Sequence, residues 1–279
     1  MILNARGKIT MRLLSLARTP LLFYPYYRYH LPLPSVILIE NTNCCNARCV
    51  MYPRETLTRR RGFMEFGLFE KIIREVSIAS QTPVVHLHGF GEPLLDELLP
   101  ERITLAKTCG IKHTYLVTNA SLLIPETSRK IINAGLDTMK ISFYGTDEES
   151  YQATMRRLDF KVAIHNIREF MRIRKELKKR TPKLILQYLP QDANEAKTEE
   201  FQSLWRSVLD KSAGDRLNRG ALHNYGGGRG VQPCGRKDRV CLFLPLDSPV
   251  GALGWQGSYV LHGLQWRSGG RRYELPECH

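Results

Sequence analysis

The chain has 279 residues, of which 43% are hydrophobic and 24% are charged, and its formal net charge is +14. This length allows one large domain, or one domain with a small appendage. No run of about 18 or more apolar residues occurs, so no membrane-spanning helix is predicted. Basic residues interrupt the short apolar stretches near the amino terminus. A signal peptide is therefore not predicted, and a cytoplasmic protein is expected.

The predicted elements, in chain order, alternate between short apolar runs and helical patterns from residue 35 to about residue 205. The predicted strands cover residues 36–40, 84–88, 113–118, 138–143 and 184–189. The predicted helices lie near residues 66–79, 96–109, 125–134, 147–155, 160–178 and 195–209. This alternation favours a parallel sheet with crossover helices, and its periodicity fits both an open doubly wound sheet and a barrel. Residues 1–34 are predicted to form an amino-terminal extension.

Much of the positive charge lies at residues 59–61 and 168–183. A basic surface can attract nucleic acid, anionic lipid or an acidic peptide. In the second segment, apolar residues recur at helical spacing, which predicts an amphipathic helix with a solvated basic face. No nucleic-acid-binding motif accompanies it, so nucleic acid is not predicted as a partner.

A cysteine-rich loop follows the first predicted strand. Residues 42–53 read Thr-Asn-Cys-Cys-Asn-Ala-Arg-Cys-Val-Met-Tyr-Pro, which places Cys44, Cys45 and Cys49 close together. Such close spacing does not suit an ordinary disulfide framework, and in a reducing cytosol it indicates a metal site. Buried free cysteines are the alternative, and this alternative suits Cys109 better.

Three further segments stand at the ends of predicted strands. Residues 89–93, which read Gly-Phe-Gly-Glu-Pro, follow the second strand, Asn119 ends the third, and Ser142 lies at the end of the fourth. In α/β folds of this kind, the loops that leave the carboxyl ends of the strands carry the chemistry. We therefore expect these segments and the cysteine loop to converge.

The cysteine loop and the Gly-Glu-Pro segment together resemble the radical S-adenosylmethionine (SAM) enzymes, whose signature is C-x3-C-x2-C. The resemblance covers residues 36–205 and implies a partial (βα)6 TIM-like barrel, with a [4Fe-4S] cluster and SAM as cofactors. In that family, three thiolates hold the cluster, and reductive cleavage of SAM yields a radical that abstracts hydrogen from a substrate. The resemblance also implies a low-potential electron donor such as a flavodoxin or ferredoxin, and a peptide, protein or small metabolite as substrate. The basic surface favours an acidic partner, such as a flavodoxin-like electron donor or an acidic precursor peptide.

The resemblance assigns the cluster ligands residue by residue. Cys45 and Cys49 match the first two ligands, Cys44 falls at a variable position, and Met51 matches a residue that packs against adenine. Tyr52 stands where the family has its third cysteine. A phenol is a harder ligand than a thiolate and holds its proton more tightly. We therefore predict at most a labile or partial cluster with little or no radical activity, and the alternative function is a non-catalytic protein that binds SAM or a partner.

The remaining assignments concern SAM. Gly91, Glu92 and Pro93 match the last three residues of a GGEP segment whose edge hydrogen-bonds the SAM ammonium group, and they could equally form a turn before a helix. Asn119 and Ser142 resemble positions near the ribose and methionyl groups of SAM. Each of these two residues could instead simply cap the end of a strand.

Residues 246–279 differ in composition from the rest of the chain, because they contain no Lys, Ile, Phe, Met, Thr or Asn. The segment that begins at Cys241 resembles the start of the SPASM or twitch appendage of radical SAM proteins. When synonymous codons are assigned and one base is dropped, a permitted translation contains a Cys-Cys-Met-Asp segment that also resembles this appendage. We therefore predict a core domain over residues 35–235 and a remnant SPASM-like segment over residues 236–279, out of frame from about residue 246. A genuine divergent tail is the alternative.

Overall fold

The computed structural model describes residues 35–50, 60–78, 83–189, 195–220 and 241–244. The predictions for residues 1–34, for Met51 and Tyr52, and for the tail from residue 245 onward lie outside these residues.

The described residues form nine strands and six α-helices. The strands are β1 (Val36–Ile39), β2 (Arg48–Cys49), β3 (Val84–His86), β4 (His113–Thr118), β5 (Thr138–Ser142), β6 (Met155–Arg156), β7 (Lys183–Tyr188), β8 (Arg216–Arg219) and β9 (Cys241–Leu244). The helices are α1 (Phe66–Ser77), α2 (Leu99–Thr108), α3 (Pro125–Ala134), α4 (Glu148–Thr154), α5 (Phe160–Glu176) and α6 (Glu195–Arg206), with 3-10 turns at Pro93–Leu95 and Lys211–Ala213.

Most strands of the main sheet are neighbours in space in the order in which they occur along the chain. The order across the sheet is β8, β7, β5, β4, β3, β1 and β9, and the pairings are parallel. An open doubly wound sheet reverses its strand order at a switch point, and no reversal occurs from β1 to β8. Sequential order is that of a TIM-like barrel, so the predicted α/β fold with a partial barrel is confirmed.

Two edge strands and a small ladder were not predicted from the sequence. β9 pairs with β1, with Val36 opposite Cys241, and β8 pairs with β7 at the other edge of the described sheet. β2 and β6 form a separate antiparallel ladder of two residues each, in which Cys49 lies opposite Met155. This ladder joins the cysteine loop to the segment that follows α4.

One face of the main sheet packs against the helices. Successive side chains of a strand point to opposite faces, and one set of alternate strand residues joins helix residues in a single hydrophobic core. Fully buried members of this core include Ile37, Val85, Leu116 and Met139 from the strands, and Phe69, Ile73, Ile103, Ile131, Ile167 and Phe170 from the helices. Each such side chain stabilises the fold by roughly 1.5–3 kcal/mol through burial.

The opposite face, called here the inner face, carries a more polar set of side chains. Strand register places Leu38, His86 and Tyr115 in one row across β1, β3 and β4. Val117 and Lys140 face each other in the next row, nearer to the carboxyl ends of β4 and β5. The inner face therefore combines aromatic and basic groups with apolar ones.

Local sequence signals set the ends of the helices. α5 begins after Asp159, whose Oδ1 accepts a 2.8 Å hydrogen bond from the backbone N–H of Val162. This is an N-cap, which satisfies a donor that has no partner within the helix. α3 begins at Pro125 and ends before Gly135, which has a φ of 87°. Proline suits the first turn of a helix, and glycine tolerates the left-handed conformation that terminates it.

The amphipathic helix predicted over the basic segment is α5, but not all of its basic residues are solvated. Arg174 is only 3% exposed, and its guanidinium forms hydrogen bonds of 2.8 and 2.5 Å with the two carboxylate oxygens of Asp215. Asp215 also accepts a 2.8 Å hydrogen bond from the backbone N–H of Leu184. The pair therefore ties α5 to β7 and to the start of β8.

In the described part of the chain, no helix combines the length and the apolar character needed to cross a bilayer.

Candidate functional site

The loop after β1 is held at its base by the segment that precedes α1. Thr42 Oγ1 donates a 2.8 Å hydrogen bond to the carbonyl of Gly62. Asn43 donates through Nδ2 to the carbonyl of Arg60 at 2.9 Å, and its Oδ1 accepts from the N–H of Gly62 at 2.8 Å. The Thr-Asn pair that precedes the cysteines therefore fixes where the cysteine loop leaves the sheet.

The two predicted cluster ligands lie on this loop. Cys45 and Cys49 are half-buried and are not disulfide-bonded, and Cys45 Sγ accepts a 3.4 Å hydrogen bond from the N–H of Ala47. Cys44 is 1% exposed and is disulfide-bonded, so the expectation that the close cysteines do not suit a disulfide is wrong for Cys44. A sulfur in a disulfide is not available as a metal ligand. Cys109, at the end of α2, is a half-buried free cysteine away from the loop, as the sequence suggested.

The described residues contain no group of three or more His, Cys, Asp or Glu side chains arranged to hold a metal ion. Cys45 and Cys49 would supply two sulfur ligands of the expected cluster, and the third position, Tyr52, is not among the described residues. The assignment of these two cysteines to an iron–sulfur cluster stays a prediction.

The predicted Gly-Phe-Gly-Glu-Pro segment packs directly on the cysteine loop. A Cβ at Gly91 would lie 2.3 Å from the carbonyl oxygen of Thr42 and 2.5 Å from that of Cys44. The N–H of Glu92 donates a 2.8 Å hydrogen bond to the same Cys44 carbonyl. Glycine is therefore required because two backbones meet here, and the space above its Cα is filled by protein. Any contact of Gly91 with a ligand would be made by its peptide groups.

Glu40 is a site residue that the sequence analysis missed. It is fully buried at the end of β1, and its Oε1 accepts a 2.9 Å hydrogen bond from the N–H of Phe90. A Cβ at Gly89 would lie 2.5 Å from the Glu40 side chain. The sequence signal that could have revealed Glu40 is its position directly after an apolar strand. A carboxylate buried there needs hydrogen-bond donors from neighbouring segments.

Glu92 is 2% exposed, and its carboxylate faces the protein. Its Oε1 accepts hydrogen bonds from Thr118 Oγ1 at 2.6 Å and from the N–H of Leu94 at 3.1 Å. Its Oε2 accepts from the N–H of Asn119 at 2.8 Å. Burial raises the pKa of Glu92 to about 7, while these three donors act in the opposite direction. Glu92 thus connects the loop after β3 to the end of β4.

The side chain of Asn119 belongs to a closed ring of three polar residues. Asn119 Nδ2 donates to Asn46 Oδ1 at 3.0 Å, and Asn46 Nδ2 donates to Ser121 Oγ at 2.8 Å. Ser121 Oγ in turn donates to Asn119 Oδ1 at 2.6 Å. The ring joins the cysteine loop to the end of β4. Asn46 and Ser121 were not singled out from the sequence, since neither matches a motif position.

The last two predicted SAM-binding residues take different places. Pro93 is buried at the first position of a 3-10 turn, as the turn alternative anticipated. Ser142 ends β5, is 8% exposed, and lies opposite Gln187 of β7. The structure therefore brings the cysteine loop, the Gly-Glu-Pro segment and Asn119 into contact, and it places Ser142 at the end of the next strand along the sheet.

Residues 39–184, more than half of the chain, match the family model described as Radical SAM superfamily. The chain belongs to this superfamily.

Curated relatives match over part of their length. A probable GTP 3′,8-cyclase of Methanothermobacter thermautotrophicus is 30% identical over 118 residues, which are 42% of this chain and 37% of the relative. A tungsten-containing aldehyde ferredoxin oxidoreductase cofactor-modifying protein of Pyrococcus furiosus is 22% identical over 53% of this chain and 41% of its own length. The chain thus spans less than half of these relatives.

Solved structures share the fold. SuiB of Streptococcus suis, bound to SAM, superposes with a TM-score of 0.58 at 17% identity, over 73% of this chain and 44% of SuiB. The protein anSMEcpe with bound SAM superposes with a TM-score of 0.53 at 17% identity, over 68% of this chain and 52% of its own. At this level of identity, the likeness establishes the fold alone.

Proposed function

We propose that the carboxyl edge of the sheet binds SAM, and that the chain derives from a radical SAM enzyme that abstracts hydrogen from its substrate. The observation that carries this proposal is the contact between the cysteine loop and the Gly-Glu-Pro segment. The Glu92 N–H bonds to the Cys44 carbonyl, and Gly91 lies against Thr42. Two thiols and a backbone edge are thereby held side by side where enzymes of this architecture bind their ligands.

The fit of a [4Fe-4S] cluster to these residues is incomplete. A cluster with one open iron takes three protein thiolates, whereas Cys45 and Cys49 supply two and the sequence has Tyr52 at the third position. When bound, the cluster of this family supplies the electron that cleaves SAM. With one thiolate missing, we infer a labile or partial cluster and little or no radical chemistry in this chain.

The chain's own residues would hold SAM in the following way. The peptide groups of Gly91 and Glu92 would meet the ammonium group, because the Glu92 carboxylate is occupied by Thr118 and Asn119. Ser142 would lie near the methionyl group. We propose Met51, Pro93 and Asn119 as further SAM contacts. The Asn119 side chain already bonds to Asn46 and Ser121, so it would have to share these hydrogen bonds with SAM.

A second function, a non-catalytic protein that binds SAM or a partner, is favoured by one observation. The framework of the site is intact in Glu92 and in the ring formed by Asn46, Asn119 and Ser121, although the third cysteine is absent. A retained scaffold without a complete ligand set suits binding better than catalysis.

We infer the substrate class and the partners from the resemblance to the family. We propose a peptide, protein or small metabolite as the ancestral substrate, a flavodoxin or ferredoxin as electron donor, and a cytoplasmic location. The net charge of +14 supports an acidic partner. The structure of SuiB bound to a precursor peptide supports a peptide substrate. The resemblance of the segment that begins at Cys241 supports a SPASM-type ancestor.

The test is anaerobic reconstitution of the full chain with iron and sulfide, followed by measurement of iron content, SAM binding and 5′-deoxyadenosine release. We expect little iron in the wild type and a severalfold increase, with SAM cleavage, in Tyr52→Cys. In the Tyr52→Cys background, Cys45→Ser should lose the iron, and Cys109→Ser is the matched control that should keep it. SAM binding without iron would select the non-catalytic function, and equal iron and cleavage in wild type and Tyr52→Cys would contradict the inference about Tyr52.

A further inference from the structure

A group of aromatic and basic side chains lies on the inner face between β3 and β5. His86 and Tyr115 face each other in the strand register, and their rings stack with centroids 4.3 Å apart. The ring of His88 lies 5.3 Å from that of His86 and 6.0 Å from that of Tyr115. Three rings that can donate hydrogen bonds thus lie together on the inner face of the sheet.

Lys140 stands on the same face with apolar neighbours in register. It faces Val117 on β4 and Ile185 on β7, and it is half-buried. None of the hydrogen bonds and ion pairs found among the described side chains involves its ammonium group. Burial lowers the pKa of Lys140, as expected for a partly buried cation without an ion-pair partner among the described residues.

One ring nitrogen of His88 has no hydrogen-bond partner. Its Nδ1 is buried and makes no hydrogen bond. Burial lowers the pKa of His88 well below its usual value, and the nearby charges of His86 and Lys140 add to this effect. Buried polar atoms in proteins are normally hydrogen-bonded, and an exception indicates a missing ligand or water.

The charged groups around this cluster are mainly basic. Arg216 of β8 lies opposite Ile185 of β7. Burial raises the pKa of Tyr115 to about 12, and the positive charge of Arg216 acts in the opposite direction. The acid at the end of the neighbouring strand, Glu40, accepts a hydrogen bond from the N–H of Phe90. The inner face therefore presents positive charge and hydrogen-bond donors to whatever occupies it.

We propose that this part of the inner face is a subsite for an anionic substrate group, a carboxylate or a phosphate. Lys140 supplies the charge, and His88 and Tyr115 supply hydrogen bonds. The subsite lies one row deeper than Ser142, because two residues of a strand span about 6–7 Å. SAM at the edge and the substrate anion below it would therefore occupy different rows. The term substrate rests on the function proposed above, whereas anion binding itself does not.

The subsite can be tested on the full chain without cluster or SAM. Inorganic phosphate and acetate serve as probes, with chloride at matched ionic strength, and binding is followed by calorimetry and by the thermal unfolding midpoint. Lys140→Met removes the charge and keeps the aliphatic volume. Lys112→Met, at an exposed position, removes the same charge from the surface. We expect at least a tenfold weaker affinity in Lys140→Met and wild-type affinity in Lys112→Met. Phosphate and acetate are compared to identify the preferred anion.

Three results would overturn the proposal. The first is that neither phosphate nor acetate binds to the protein. The second is that Lys140→Met and Lys112→Met bind the anion with equal affinity, which would assign anion binding to the basic surface. The third is displacement of bound phosphate by SAM, which would assign Lys140 to the cofactor. If Lys140→Met does not fold, the imidazole resonances of wild-type His88, assigned with His88→Gln, must shift on addition of phosphate. A failure of the chain to bind SAM would contradict the proposed function and leave this result unchanged.

Discussion

The hydroxyl of Thr118 donates a 2.6 Å hydrogen bond to Oε1 of the buried Glu92. This bond joins the end of β4 to the loop after β3, and the same loop packs on the cysteines. Glu92 thereby couples three strand ends, because its carboxylate bonds to the end of β4 and its backbone N–H bonds to the cysteine loop after β1. A ligand at this edge would meet a preorganised framework, in which few groups need to be ordered on binding.

Glu92 should make stability depend on pH. Its pKa is raised from 4.5 to about 7, so the unfolded chain loses this proton before the folded chain does. The free energy of unfolding should therefore fall as pH rises from about 4.5 to about 7, by on the order of 3 kcal/mol, and the contribution should be constant above that range. Urea unfolding at several pH values measures this. Glu92→Gln should lack the fall, and the exposed Glu126→Gln should retain it; identical profiles for the wild type and Glu92→Gln would contradict the prediction.

Gly91→Ala should destabilise the protein by about 1–3 kcal/mol, because the new methyl group meets two backbone carbonyls that cannot rotate away. The matched control is Gly67→Ala in α1, where no atom lies within 4 Å of the added Cβ. The control should stabilise the protein by roughly 0.4–1 kcal/mol through reduced unfolded-state entropy. Chemical denaturation of both variants checks the pair, and a loss of stability of equal size in both would show that contact with Thr42 and Cys44 is not the cause.

The ring of Asn46, Asn119 and Ser121 should hold the cysteine loop in place. Asn46→Ala removes two hydrogen bonds, each worth about 0.5–1.5 kcal/mol. We expect Cys45 and Cys49 to react severalfold faster with iodoacetamide in this variant, since the loop opens more often. Asn133→Ala, at an exposed position of α3, is the control and should leave the rates unchanged. Unchanged alkylation in Asn46→Ala would mean that the ring does not restrain the cysteines.

The ion pair between Arg174 and Asp215 should be essential for stability. The two side chains are 3% and 0% exposed, and removal of one partner leaves a buried, uncompensated charge. Arg174→Met should therefore cost about 3–5 kcal/mol. The exposed pair of Arg129 and Glu176 provides the control, in which Arg129→Met should cost less than about 1 kcal/mol. Denaturant unfolding of the two variants, and of Arg174→Met combined with Asp215→Asn, isolates the charge effect, since the double variant removes the uncompensated charge and keeps an oxygen that can accept from the N–H of Leu184.

Much of the fold could be predicted because its signals are local. The helical pattern over residues 125–134 and the strand pattern over residues 113–118 coincide with α3 and β4. β8 was missed because its polar segment has no strand periodicity, and among the described strands it lies at the edge of the sheet beside β7. The ladder between β2 and β6 is too short to produce a pattern.

The site was predicted only where a motif marked it. Glu92 and Asn119 were singled out from the sequence as candidates, whereas Glu40 and Asn46 were not. Glu40 accepts a hydrogen bond from the N–H of Phe90, 50 residues away, and Asn46 donates one to Ser121, 75 residues away. No local pattern encodes partners at such separations, because loop closure and strand register bring them together.

The sequence by itself determined the alternation of strands and helices, the family motif and the substitution at Tyr52, because each is expressed in adjacent residues. Only the tertiary structure decided that Glu92 turns its carboxylate into the protein and that Lys140 and His88 share the inner face. The reason is physical: side-chain periodicity assigns a residue to one side of a strand, but neighbouring strands and loops decide what it meets there. Burial and hydrogen bonding then determine whether a group remains available to a ligand.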